Sequence, residues 1–423
     1  MEHETVAYRD RIIDRILRER LGSAGAVILE GAKATGKTLS ARQAAGSEVL
    51  LDVDINAQQA IAIDPGLVLP GPTPRLIDEW QEGGTALWNS VRRAVDERQT
   101  PGQFILTGSA TPADDVRRHS GAGRFSRVRM RPMSLNEVGL STGTISLSGL
   151  FAGESPSCPD PGLTVPELLA QLAIGGWPAN LGLDLNEALQ SNADYLDSVR
   201  EVDIPGMTAI RRDPTRLDRL IRSLARNTAT EVKIAVLARE TSVDEGAGLA
   251  RSTIYDYLAA LERLMITEDV PAWAPHLRSR ATLRQQPKRH FVDPSLALAA
   301  LHAGPEALLR DLNFAGFLFE SLIVRDIRVL SEPLGGKLFH YRDSSGVEAD
   351  MVLQLPDGRW GAFEVKLGAS RVDEGAATLR RFADSIDTRR TGEPAILGII
   401  TNASYGYLCP DGIAVIPIAA LRP

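Results

Sequence analysis

The sequence predicts an α/β protein whose amino-terminal part is a parallel sheet flanked by helices. The stretch VILEGAKATGKTLS at residues 27–40 passes from a strand-like run through a glycine-rich turn into a helix-like run. Further apolar strand-like runs at 49–54, 75–77 and 103–110 alternate with amphipathic helical segments, which is typical of βαβ units. At 423 residues the chain exceeds a single core and should contain two or three domains.

The glycine-rich turn has the spelling of a phosphate-binding loop, G-x-x-x-x-G-K-T. Its glycines allow successive backbone N–H groups to turn around a phosphate. Lys37 is predicted to reach the β- and γ-phosphates, and Thr38 to offer its hydroxyl to Mg²⁺. The chain has 6 lysines among its 47 basic residues, so Lys37 is a specific choice of a point charge over a guanidinium. The residues predicted to line the nucleotide in this loop are Gly31, Ala32, Lys33, Ala34, Thr35, Gly36, Lys37 and Thr38.

Polar residues follow the next two strands of this predicted sheet. Asp78 is expected to hold the Mg²⁺ shell and Glu79 to orient or deprotonate a water, although a solvated turn would look the same. Ser109 or Thr107, at the end of the third strand, would sense the γ-phosphate. Arg124 follows two glycines and would reach a transition-state phosphate in its own or a neighbouring subunit, which requires an oligomer in the second case. A surface salt bridge is the ordinary alternative for Arg124.

Composition limits the other classes of function. A net charge of −7 and a pI of about 5.6 restrict any nucleic-acid contact to local basic patches. Cys158 and Cys409 have no metal-ligand spacing. The first ten residues have no apolar core, and no run approaches the roughly 20 apolar residues of a membrane span. We therefore expect a cytoplasmic protein.

The blocks GAKATGKT, LIDEWQ, FILTGSA, GAGRF and RPMSLNE, in this order, resemble the bacterial and archaeal AAA-like ATPases that carry a C-terminal domain of unknown function. The resemblance implies ATP and Mg²⁺ as ligands, a sheet with the phosphate-loop strand near its centre, and a switch-like role for hydrolysis. It divides the first half of the chain into a P-loop AAA-like ATPase core at 1–140 and a linker with a helical lid at 141–210.

Residues 211–289 have the outline of a winged helix, with helical patterns near 216–229, 231–242 and 249–266 followed by an extended segment. The third pattern begins with small polar and basic groups, and residues 271–290 carry basic residues without one acid. This module would contact DNA, or it would be a solvated hairpin or a protein-docking arm. The residues predicted to contact nucleic acid are Arg251, Arg278, Arg280, Arg284, Lys288 and Arg289.

The last predicted domain, 290–423, places Asp350 on one strand and Glu364-x-Lys366 on the next. Asp350 and Glu364 are hard oxygen ligands for Mg²⁺, and Lys366 would stabilise charge on a phosphodiester. Glu320 on an apolar helix would complete the site. This arrangement resembles the PD-(D/E)XK nucleases, which implies an α/β nuclease-like domain. The alternative is a salt-bridge network in a domain that kept the fold and lost the metal.

The sequence thus predicts an ATPase whose nucleotide state controls a C-terminal DNA-binding, nuclease-like domain. Two alternatives remain: an ATP-dependent regulatory or interaction protein with an inactive nuclease-like binding module, and a DNA-binding regulator that works through the winged helix alone.

Overall fold

A computed structural model describes residues 8–109, 121–207, 214–242, 249–275 and 286–423. The chain forms two compact units. Unit 1 is Met1–Arg131 with Arg263–Met265, and unit 2 is Pro132–Glu262 with Ile266–Pro423. No helix in these described ranges is both long enough and apolar enough to cross a membrane.

Unit 1 is built on a five-stranded parallel sheet of order β2-β3-β4-β1-β5. Its elements are α1 (Ile12–Leu21), β1 (Ala26–Glu30), α2 (Lys37–Arg42), β2 (Ser47–Leu50), α3 (Ile55–Ile63), β3 (Arg75–Asp78), α4 (Gly84–Arg98), β4 (Phe104–Gly108) and β5 (Phe125–Arg129). The parallel sheet predicted for this part of the chain is confirmed. Because parallel strands end at the same edge of a sheet, the residues after β1, β3 and β4 lie at one edge.

Alternation along β1 explains why helices cover both faces of this sheet. Val27 and Leu29 pack in one apolar cluster with Leu17 of α1, whereas Ile28 packs in another with Trp88 of α4. Successive side chains of a strand point to opposite faces, so an almost continuous apolar run requires burial on both sides.

Unit 2 begins with a mainly helical part and ends with a mixed sheet. Its first elements are β6 (Ile145–Ser146), α5 (Leu147–Phe151), α6 (Val165–Ile174), α7 (Leu185–Ser198), α8 (Ile204–Met207), α9 (Pro214–Arg226), α10 (Ile234–Glu240), α11 (Arg251–Arg263), α12 (Pro294–Leu301) and α13 (Pro305–Arg310). Its later elements are α14 (Leu312–Ser331), β7 (Lys337–Arg342), β8 (Glu348–Gln354), β9 (Trp360–Lys366), α15 (Val372–Ser385), α16 (Thr388–Thr391), β10 (Ile396–Thr401), β11 (Tyr407–Leu408), β12 (Ala414–Pro417) and β13 (Leu421–Arg422).

The six-stranded sheet of unit 2 has the order β11-β12-β10-β9-β8-β7. Strands β7, β8 and β9 are antiparallel, whereas β9, β10 and β12 are parallel. Helix α15 packs on β8, β9 and β10 through Phe382, whose ring lies 6.1 Å from that of Trp360, and Trp360 in turn lies 4.8 Å from Trp273. Helix α14 contacts β7 and β9. The C-terminal part is therefore a mixed α/β domain.

Two segments differ from the sequence prediction. The strand predicted over 49–54 ends at Leu50, and a turn leads to Asp54, whose carboxylate caps α3 by accepting from the backbone N–H groups of Asn56 and Ala57. The segment 141–165, predicted as a linker, contains β6 and α5, and β6 pairs with β13. Among its serines and glycines, four large apolar residues are buried: Ile145, Leu147, Leu150 and Phe151.

A fully buried arginine joins four separate segments of unit 2. The Arg325 guanidinium of α14 pairs with the Asp293 and Asp326 carboxylates, both at 2.7 Å. The second oxygen of Asp326 accepts from the backbone N–H of Leu135 at 2.8 Å, and Asp293 also accepts from the N–H of Gly176 at 2.9 Å. Both carboxylates and the guanidinium are thus paired away from water.

The Gly-Gly-Trp-Pro turn that follows α6 requires glycine at position 176, because its backbone lies against that of Met133. A Cβ atom on Gly176 would lie 2.1 Å from the carbonyl oxygen of Met133, a distance that no side chain tolerates. The Trp177 indole donates to the Ser295 hydroxyl at 3.0 Å. The turn is therefore a packing element that joins the start of unit 2 to α12.

We expect Arg325→Ala to lower the free energy of unfolding of unit 2 by about 3–5 kcal/mol, because two buried carboxylates lose their shared cation. The control Arg371→Ala removes an exposed ion pair with Glu374 and should cost less than about 1 kcal/mol. Calorimetric unfolding of both variants measures the difference. Equal unfolding temperatures would contradict this account of the arginine.

Candidate functional site

The loop between β1 and α2 has the backbone that its glycines permit. Gly36 has a φ of 94°, and Ala34 is also left-handed at 63°. A Cβ on Gly31 would lie 2.3 Å from the carbonyl oxygen of Met130, so this position admits only glycine. Helix α2 begins directly at Lys37, and its amino-terminal end therefore lies at the loop.

Lys37 folds back into this loop. Its ammonium group donates to the carbonyl oxygens of Gly31 at 3.0 Å and Ala32 at 2.9 Å. Burial lowers the pKa of Lys37 to about 8, against the opposing attraction of the Glu79 and Asp78 carboxylates. The ammonium is thus held by carbonyl dipoles at the place where a phosphate anion would satisfy its charge better.

Thr38 and Asp78 lie together at the carboxyl edge of the sheet. The Thr38 hydroxyl donates to the two carboxylate oxygens of Asp78, at 2.9 and 3.1 Å. The Thr107 hydroxyl of β4 donates to the same carboxylate, while burial raises the pKa of Asp78. A hydroxyl beside a carboxylate is a hard oxygen pair, and these two side chains therefore fit a Mg²⁺ ion.

Glu79 lies next to Asp78 and is fixed by the neighbouring strand. Its backbone is left-handed, with a φ of 48°, and its N–H donates to the Thr107 hydroxyl at 3.3 Å. The Ser109 hydroxyl donates to one oxygen of the Glu79 carboxylate at 2.6 Å, and the Gln81 amide donates to the other. The two polar residues at the end of β4 thus orient the acidic pair at the end of β3.

Arg124 lies just before β5, and its guanidinium pairs with Asp96 of α4. The side chain of Arg124 is 38% exposed. A role for Arg124 toward a phosphate, in its own or a neighbouring subunit, would require this ion pair to open.

Two residues of unit 1 that sequence reasoning missed support the loop and the acidic pair. Arg11 is buried, and its guanidinium donates to the carbonyl oxygens of Thr35 at 3.0 Å and Arg131 at 2.8 Å. Gln81, described above, is the other. The sequence did not predict either role, because each side chain contacts residues that the local sequence pattern does not identify.

A second cluster of charged side chains lies in unit 2, on α14, β8 and β9. The backbone N–H of Asp350 donates to the Glu364 carboxylate at 3.3 Å, and the N–H of Val365 donates to the Asp350 carboxylate at 3.0 Å. The Lys366 ammonium pairs with Glu364 at 2.9 Å. Glu320 of α14 reaches the same cluster, so the four residues predicted for a nuclease-like site lie together.

The cluster also holds a lysine that the sequence assigned to a surface patch. The Lys288 ammonium lies 2.7 Å from the Glu320 carboxylate and 3.2 Å from that of Asp350. Its side chain is only 15% exposed. We refer to Lys288, Glu320, Asp350, Glu364 and Lys366 as the charged cluster.

The packing of the charged cluster shifts the pKa values of its three carboxyl groups. Burial raises the pKa of Glu320 to about 7 and, together with the Asp350 carboxylate, that of Glu364 to about 8. Burial also opposes ionisation of Asp350, but the ammonium groups of Lys288 and Lys366 outweigh it and hold the pKa of this carboxyl below its usual range. In the described ranges no group of three or more His, Cys, Asp or Glu side chains could hold a metal ion. Of the predicted Mg²⁺ ligands Asp350 and Glu364, Asp350 pairs with the Lys288 ammonium and Glu364 with that of Lys366.

The residues predicted to contact nucleic acid differ in their exposure and in their partners. Arg251 is exposed at the first position of α11. Lys288 and Arg289 are both half-buried, Lys288 in the charged cluster and Arg289 in an ion pair with Asp269, so neither belongs to an open surface patch. The remaining three residues lie outside the described ranges: Arg278, Arg280 and Arg284.

The fold and loop geometry of unit 1 define the class of the amino-terminal domain, an AAA-like P-loop ATPase domain. Residues 23–139 match the family model described as AAA domain. Residues 166–307 and 315–421 match two further models, each described as a domain of unknown function, DUF8612 and DUF4143.

The solved structures that are similar to the chain include the following three. A Walker-type ATPase of Pyrococcus abyssi is 15% identical, with 68% of this chain and 94% of that chain covered and a TM-score of 0.42. A RuvB protein of Thermotoga maritima is 15% identical over 61% and 89% of the two chains, with a TM-score of 0.27. A chain of the Drosophila ORC bound to DNA is 12% identical over 65% and 89%, with a TM-score of 0.22. No curated protein matches the sequence.

We expect ATP binding to take up a proton at a pH just above 8. The pKa of Lys37 is about 8 in the free protein, and an adjacent phosphate favours the charged ammonium, so binding raises this pKa. The affinity for ATP should therefore fall as the pH rises through about 8. Calorimetry in two buffers with different ionisation enthalpies measures the uptake.

In the same experiment Lys37→Ala should abolish the proton uptake, and Lys337→Ala, which removes an exposed lysine of β7, should retain it. Proton uptake that is the same in both variants would exclude Lys37 as its source.

Proposed function

We propose that the protein binds and hydrolyses ATP at the loop of unit 1. The observation that carries this proposal is the hydrogen bond of the Thr38 hydroxyl to the Asp78 carboxylate, beside the buried Lys37 ammonium. These three groups come from two strand ends that the parallel sheet brings to one edge. The match of residues 23–139 to an AAA domain agrees with it.

Each residue then has a separate task. Lys37 leaves its two carbonyl partners and neutralises oxygens of the β- and γ-phosphates. Thr38 and Asp78 would hold Mg²⁺, which supplies charge neutralisation to the phosphates when it is bound. Glu79 accepts the proton of the attacking water, and Ser109 keeps the Glu79 carboxylate oriented. Thr107 fixes both members of the acidic pair.

Arg124 is proposed as a residue that reaches the nucleotide of a neighbouring copy in a homo-oligomer. Its position before β5 and its partly exposed side chain support this role. In the absence of a neighbouring copy, the Arg124 guanidinium would remain paired with Asp96. A stoichiometric mixture of Glu79→Gln and Arg124→Ala proteins tests the idea, because some sites in mixed oligomers would regain both groups.

For unit 2 we propose a nucleic-acid-binding module whose state responds to ATP. Helix α14 is followed by β7, β8, β9, α15, α16 and β10, and this mixed α/β arrangement supports the nuclease-like domain that the sequence resembles. Helices α9, α10 and α11 are followed by a ladder in which Thr267 and Val270 pair with Phe291 and Lys288, and Thr230, between α9 and α10, pairs with Arg289. This connection of helices and strands supports a winged helix.

Binding rather than cutting is the activity that the charged cluster favours, because Lys288 takes the place of a metal ion between Glu320 and Asp350. The convergence of Glu320, Asp350, Glu364 and Lys366 is the one observation that favours a second candidate, a metal-dependent nuclease. Cleavage of single-stranded, duplex or branched DNA in Mg²⁺ or Mn²⁺, lost in Asp350→Ala, would establish the nuclease.

We expect Glu79→Gln to lower the rate of ATP hydrolysis by about 10²–10⁴-fold, because the amide cannot accept the proton of the attacking water. ATP binding should remain, since the loop and Thr38 are intact. Phosphate release and nucleotide binding measure the two effects. The control Glu82→Gln removes a nearby exposed carboxylate and should hydrolyse ATP at the parent rate. Hydrolysis by Glu79→Gln at the parent rate would remove the assigned base.

We expect the affinity for duplex DNA to fall steeply with salt and to weaken in Arg251→Ala, with the salt slope reduced by about 1 for each DNA phosphate that the variant no longer neutralises. A variant with Arg278, Arg280 and Arg284 all changed to alanine should show a larger reduction. Fluorescence anisotropy across a salt series measures both. Arg389→Ala, which removes a 95% exposed arginine of α16, serves as the control for net charge. An equal weakening in that control would mean that no specific patch exists.

A further inference from the structure

Lys288 contacts three parts of unit 2. Its backbone pairs with Val270 in the short ladder that follows α11. Its ammonium reaches Glu320 on α14 and Asp350 on β8, which are 32 and 62 residues further along the chain. One cation thus connects the ladder, the helix and the sheet.

The carboxyl groups of the cluster favour such a cation. Glu320 and Glu364 are buried and Asp350 is half-buried, and Lys366 pairs with only one of these three carboxyl groups, Glu364. A buried carboxylate without a partner is strongly destabilising. Lys288 supplies a positive charge through two short contacts, in a position between the Glu320 and Asp350 carboxylates.

We infer that Lys288 is the resident counter-ion of the charged cluster and that its ammonium excludes divalent cations from it. The inference rests on the nuclease-like role proposed for unit 2 in one respect only: that role is the reason for choosing a divalent cation as the ion that would compete with Lys288. It does not depend on ATP hydrolysis or on nucleic-acid binding. Removing the ammonium leaves two carboxylates on α14 and β8 that face a vacated position, with Glu364 beside them. The Glu320 and Asp350 carboxylates, with water as the remaining ligands, suit Mn²⁺ or Mg²⁺.

The test compares the full chain with Lys288→Ala, Lys288→Arg and Lys288→Ala/Asp350→Asn. Mn²⁺ binding is measured without nucleotide, from the electron paramagnetic resonance signal of the free ion. We expect Lys288→Ala to bind one more Mn²⁺ than the parent chain and than Lys288→Arg, which keeps the charge. The double variant should lose this additional ion. The unchanged loop of unit 1 is common to all four proteins, so any ion bound there cancels in the comparison.

Thermal unfolding gives a second measurement on the same proteins. Lys288→Ala should unfold at a lower temperature than the parent chain without metal and should recover with Mn²⁺, whereas the double variant should not respond. If Lys288→Ala does not fold, Lys288→Met keeps the aliphatic stem and is used in its place.

Two results would overturn the inference. One is a parent chain that binds Mn²⁺ at this place, with the ion lost in Asp350→Asn. The other is a folded Lys288→Ala or Lys288→Met protein that binds no additional ion. ATP turnover, measured separately, decides the function proposed for unit 1, so failure of one proposal does not affect the other.

Discussion

The pairing of Arg325 with Asp293 and Asp326 is the interaction on which unit 2 depends. All three side chains are almost fully shielded from water, and each carboxylate also accepts a backbone N–H from another segment. A planar guanidinium can serve two carboxylates at once with fixed geometry, which an ammonium cannot do equally well. The positions of α12, of α14 and of the Gly-Gly-Trp-Pro turn follow from this one group.

The two kinds of basic residue are used for different purposes in this chain. Three of the six lysines are placed where a compact point charge meets oxygen atoms: Lys37, Lys288 and Lys366. Arg325 and Arg11 instead donate in several directions to fixed acceptors. The ammonium groups thus occupy the candidate sites, while the guanidinium groups hold the surrounding backbone.

Local patterns in the sequence were sufficient for the ATPase domain. The loop from Gly31 to Thr38, the acidic residues after β3 and the polar residues after β4 could be predicted because each follows a strand, and a parallel sheet brings strand ends together. The convergence of Asp350 with Glu364 and Lys366 could be predicted for a similar reason, since neighbouring strands share a register. The roles of these residues stay predictions.

The sequence did not reveal the contacts made over long separations. Lys288 was interpreted as a surface cation because its neighbours in the sequence are basic, whereas its partners are carboxylates on two distant elements. The strand β6 escaped notice for the same reason, because it pairs with β13 almost at the other end of unit 2. Burial of a charge is decided by such distant partners, and composition around the residue does not report them.

The ion pair between Asp293 and Arg325 also crosses the boundary between the two domains of unknown function, which match residues 166–307 and 315–421. Both matched regions therefore belong to one compact unit. A fragment cut between them would expose a guanidinium on one piece and an aspartate on the other. Recombination of this protein with its relatives should therefore exchange both regions together.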